Sequence, residues 1–102
     1  MREIKHVVKD IETNIHEARE KIGKAYQLME HDRSYADWQR DMALQHLAFN
    51  NRGHEIVKRM ISEHTDNAHP LAPGMRAMYE DRHADIMREA AEVRSMIDNY
   101  GK

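Results

Sequence analysis

The stretch "IKHVVKDIETNIHEAREKIGKAYQLM", residues 4–29, decides the fold. Its apolar positions are Ile4, Val8, Ile11, Ile15, Ala18, Ile22, Ala25 and Met29. They are separated by alternating steps of four and three residues. That is a heptad seam held over the whole segment, the pattern of a helix in a supercoiled bundle. Glu17 with Lys21 and Glu20 with Lys24 stand four residues apart in the favourable order, which supports the same helix from its outer face. The spacing predicts a helix over about residues 2–30.

Working outward, "EHDRSYADW" interrupts the seam. Ser34 with Asp37 resembles a capping box, so a second helix is expected over residues 35–64. Its large apolar residues are Tyr35, Trp38, Met42, Phe49, Ile56, Val57, Met60 and Ile61, and these read as its buried stripe. "TDNAHPLAPG", residues 65–74, holds both prolines and reads as a linker. Pro73 suits the first turn of a third helix over 73–99, and Gly101 suits its stop. The third stripe reads Met75, Tyr79, Ile86, Ala90, Val93, Ile97 and Tyr100, with Arg82 inside it. The expectation is an all-α fold: three long antiparallel helices in one bundle, a single domain over residues 1–102, pairing as a dimer.

Composition narrows the function classes. Sixteen Lys and Arg against eighteen Asp and Glu leave a net charge of −2, with the two signs interleaved. No basic stripe exists to draw in nucleic acid. There is no Cys, which removes disulfides, thiolate nucleophiles and thiolate metal ligation. The start of the chain is charged and carries no signal-type apolar core, and no apolar run is long enough for a membrane span. A soluble cytoplasmic protein is expected. The three serines, Ser34, Ser62 and Ser95, fall at a cap, a helix end and an outer face. No triad and no glycine-rich phosphate loop is seen, so no enzyme is expected.

Eight histidines are the unusual feature. His46, Asn50 and Gly53 fall on the inward side of the second helix, where Leu or Ile is expected. His46 reads as a buried imidazole satisfied by Asn50 or by a backbone carbonyl. Gly53 reads as a place where a neighbouring element comes close. Carboxylate and imidazole at helical spacing recur as Glu12 with His16 and as Glu80 with His83. Such pairs build metal sites in bundles. The Glu-x-x-His of Glu80–His83 resembles ferritin-type di-iron bundles. That resemblance implies iron, manganese or zinc at a subunit interface, held by residues among Glu12, His16, His46, His54, Glu80 and His83. The chain departs from the pattern in its second helix, where Met42 and Gln45 stand in place of a carboxylate, and it has no fourth helix. Antiparallel pairing sets Glu12 and His16 level with residues 49–53, and His54 level with His83. Angular position turns His83 toward a different groove. The first-choice reading is an interaction protein that self-associates or binds a partner helix through Leu44, Leu47 and Ala48.

Overall fold

The computed structural model describes residues 3–66 and 69–102. Three helices dominate it: α1 (Ile4–Leu28), α2 (Arg33–Ser62) and α3 (Pro73–Asn99). Two-residue strands, β1 (Thr65–Asp66) and β2 (His69–Pro70), pair antiparallel between α2 and α3. Arg2, where the first helix is expected to begin, and Asn67 and Ala68 of the linker lie outside the described residues.

Cross-helix contacts fix the arrangement. Asn50 of α2 meets Ile11 of α1, and His46 meets Asn14, so the partner number falls on one helix as it rises on the other. α1 and α2 are therefore antiparallel. His54 meets His83, and Asp37 meets Tyr100, so α2 and α3 are antiparallel as well. Glu12 meets Arg82, Arg19 meets Glu89, and Tyr26 meets Met96, each pair 70 residues apart, so α1 and α3 run parallel in one constant register. The result is an elongated body of 52 × 22 × 14 Å.

α1 buries Ile4, Val8, Ile11, Ile15, Ala18, Ile22 and Ala25, as its heptad spacing dictates. Val7 is buried beside them. The helix starts without a side-chain cap of its own. Instead Asp66 of β1 accepts from the Ile4 amide at 2.6 Å. A free first-turn amide is one of the unpaired donors every helix N-terminus exposes, and here the linker supplies the acceptor.

α2 starts two residues before the expected Tyr35. Asp32, not Ser34, is the cap, and its carboxylate accepts from the Tyr35 amide at 3.1 Å. Asp37 instead accepts from Arg33 at 2.9 Å and from the Tyr100 hydroxyl at 2.8 Å. The buried stripe of α2 also differs from the expected one. It consists of Ala36, Gln39, Ala43, Leu47, Asn50, Val57, Met60 and Ile61. Tyr35, Trp38, Phe49 and Ile56 are exposed. The reason is the closeness of α1. A Cβ placed on Gly53 would lie 2.8 Å from Ile11 Cγ1 and 3.2 Å from its Cδ1, well inside normal contact of about 3.5–4.0 Å. At Gly53 there is no room for a side chain, and α2 packs through Ala36, Ala43, Leu47 and Val57 while its aromatic row turns outward. Ile11 fills the space that Gly53 opens.

α2 ends at Ser62 with Glu63 as its cap, and His64 beyond it takes a left-handed φ of 54°. Pro73 opens α3 and Gly101, with φ 80°, closes it, both as the sequence predicts. The α3 stripe is Tyr79, His83, Ile86, Val93, Ile97 and Tyr100. His83 takes the inward position expected of Arg82, and Met75 is exposed. Arg82 is an outer residue paired to Glu12.

Candidate functional site

Two features stand out: a partly buried imidazole pair between α2 and α3, and an apolar flank on α2.

His54 lies on the side of α2 that faces α3, and His83 takes a core position on α3. Their ring nitrogens, His54 Nδ1 and His83 Nε2, are 3.2 Å apart. The ring centroids are 5.3 Å apart, with planes inclined at 47°. His83 is buried and His54 half-buried. One nitrogen donates and the other accepts, which requires at least one neutral ring. Burial pushes both imidazoles below the usual histidine range. The neighbouring His83 adds to the effect at His54, and the Lys58 ammonium adds to it at His83. Glu55 opposes it at both. The sequence places these two residues at one level but sends His83 toward another groove. The structure turns it onto His54, because the α3 stripe runs through position 83 rather than 82.

The other residues named for metal do not join them. Glu12 accepts from Arg82 at 2.8 Å, His16 pairs with Glu20 at 3.1 Å, and Glu80 pairs with Arg76 at 2.9 Å. His46, half-buried, donates from Nδ1 to Asn14 Oδ1 at 3.0 Å, not to Asn50. Asn50 is 2% exposed and donates to the Ile11 carbonyl at 3.2 Å, while its own Oδ1 has no partner. Among the described residues, no three His, Asp or Glu side chains stand close enough together to hold a metal ion.

A groove of about 210 Å³ opens beside the pair between α2 and α3. Leu47, Asn50, Asn51 and His54 line it from α2, with Met87 and Ala90 from α3.

The second feature lies on the opposite flank of α2. At about 100° per residue, Tyr35, Trp38, Met42, Phe49 and Ile56 form one row, turned well away from His54 and Asn51. Phe49 is 72% exposed, Trp38 50%, Tyr35 44% and Ile56 39%. Tyr35 and Trp38 stack with centroids 5.8 Å apart and planes at 8°. Of the face expected at Leu44, Leu47 and Ala48, the middle residue is 6% exposed and belongs to the core. Leu44 and Ala48 remain exposed. Sequence reasoning assigns the aromatic row to the core on residue size, and its heptad spacing is the signal that marks it as a seam.

Comparison of the chain with protein-family models, with curated proteins and with solved structures finds no match to any of them. Among the described residues, no helix is long and apolar enough to cross a membrane.

Proposed function

We propose that this protein is a non-enzymatic association module, a helical bundle that pairs with a second copy of itself through the Tyr35–Ile56 flank of α2. The observation that carries the reading is the exposed heptad row of Tyr35, Trp38, Phe49 and Ile56. Aromatic side chains present about 150–250 Å² each, so at these exposures the three rings and Ile56 leave on the order of 400 Å² open. That matches the largest apolar patch of a typical monomer, about 300–600 Å², which is often functional. Two such faces, with Met42 and the Arg52 stem added, approach the roughly 1,000 Å² that a specific interface needs.

The row also argues for the orientation. Gln45 and Arg52 interrupt it at heptad positions. A parallel pair would set Arg52 against Arg52. An antiparallel pair sets each Arg52 against the partner's apolar row, where its stem packs and its head can lie over a ring. The stacked Tyr35 and Trp38 are already ordered, so less side-chain freedom is lost on pairing.

Light scattering on the full chain tests the reading. Twice the 12.1 kDa chain mass is expected. Phe49→Glu buries a carboxylate in the seam and gives the monomer mass, whereas Leu44→Glu keeps the dimer. A monomeric wild type at tens of micromolar, or a dimer indifferent to Phe49→Glu, overturns it.

A further inference from the structure

We propose that His54 and His83 form a two-imidazole site for one divalent ion of the zinc, nickel or copper class, clamped between α2 and α3. The geometry points to it. Two imidazole nitrogens on a tetrahedral ion, with bonds of about 2.0–2.1 Å, sit roughly 3.3 Å apart. His54 Nδ1 and His83 Nε2 are 3.2 Å apart, so the side chains already stand at ligand spacing. They come from different helices that the rest of the bundle holds in place, through Asp37–Tyr100 at one end and Glu12–Arg82 on the neighbouring seam. Little reorganisation is needed beyond turning the rings so that both lone pairs meet at one point.

The donor set selects the ion. Two neutral imidazoles favour borderline transition metals, while calcium and magnesium demand oxygen ligands. A ring must be unprotonated to ligate. Burial favours that form in both rings. Of the nearby charges, Glu55 favours a cation and Lys58 opposes it.

The groove of about 210 Å³ between α2 and α3 is lined by His54 itself, so water can reach an ion held there. Water in the groove then completes the coordination that two imidazoles begin.

The site and the association face lie on opposite flanks of α2, so either reading can fail without the other. The experiment titrates chelator-stripped full-length protein with Zn²⁺ or Ni²⁺ at pH 7.5, followed by calorimetry and by the thermal midpoint. One ion per chain and a raised midpoint are expected. His54→Gln and His83→Gln should each weaken binding by about tenfold or more, while His16→Gln and His46→Gln leave it unchanged. Binding that survives His54→Gln or His83→Gln overturns the site. A wild-type measurement guards against misfolded variants. Substoichiometric Ni²⁺ should broaden the ring signals of His54 and His83 before those of the other six histidines, and broadening that begins elsewhere overturns the site as well.

Discussion

Alanine at Gly53 and at Gly23 should move stability in opposite directions, although both glycines lie inside long helices. In a helix interior, Gly→Ala gains about 0.8–1.0 kcal/mol from backbone propensity. At Gly23 nothing lies within 4 Å of the added Cβ, so the full gain is expected. For a domain of this size that raises the thermal midpoint by roughly 4–8 °C. At Gly53 the same methyl would lie 2.8 Å from Ile11 Cγ1. Ile11 is 2% exposed and packed on all sides, so it cannot swing clear. Forcing a methyl into a packed core costs about 1–3 kcal/mol. Subtracting the propensity gain leaves a net loss between about zero and 2 kcal/mol. The assay is urea or thermal unfolding of the two variants beside wild type, repeated in an Ile11→Ala background. Ile11→Ala itself costs about 2–5 kcal/mol, but it removes the obstructing carbons. In that background Gly53→Ala should become stabilising by about the Gly23→Ala amount, and the difference between backgrounds is the coupling. A Gly53→Ala protein as stabilised as Gly23→Ala in the wild-type background would refute the close approach of α1 and α2.

The imidazole pair predicts an acid-side loss of stability in metal-free protein. Both folded pKa values lie below the unfolded value of about 6.5, so below that pH the unfolded chain binds protons that the folded chain resists. Stability should therefore be level above neutral pH and fall between pH 7 and 5.5, with Lys58 sharpening the fall and Glu55 softening it. Urea midpoints taken with a chelator present should show this slope, and the double variant His54→Gln/His83→Gln should flatten it; an unchanged slope removes the pair as its source. Asp66→Ala deletes the acceptor on the Ile4 amide and should cost about 0.5–2 kcal/mol, as loss of a helix cap does. Hydrogen exchange should show the loss as faster exchange in the first turn of α1, and unaltered protection there would refute the capping role.

The helices themselves were legible in the sequence because their signals are local. The α1 seam is spelled in Ile, Val and Ala at heptad steps, and Pro73 and Gly101 mark the bounds of α3 through backbone chemistry that needs no partner. The level at which His54 meets His83 could also be counted from the loops. The stripe of α2 could not. That helix carries two rows at helical spacing, one large and mostly aromatic, the other built from Ala36, Gln39, Ala43, Leu47, Asn50 and Gly53. Size favours the first as core, and the chain buries the second.

By itself, then, the sequence determined three amphipathic helices, where they turn, and an α1 face that must be covered. Only the tertiary structure decided which face of α2 covers it. Burial depends on the distance between helix axes as much as on hydrophobicity, and where α1 comes as close as Gly53 allows, there is no room for a side chain. That choice leaves Tyr35, Trp38, Phe49 and Ile56 outside. It also turns His54 toward α3, where a one-residue shift of the α3 stripe brings His83, rather than Arg82, to meet it. Neither the apolar flank nor the imidazole pair is a property of any one segment; both arise from the angle at which one helix meets another.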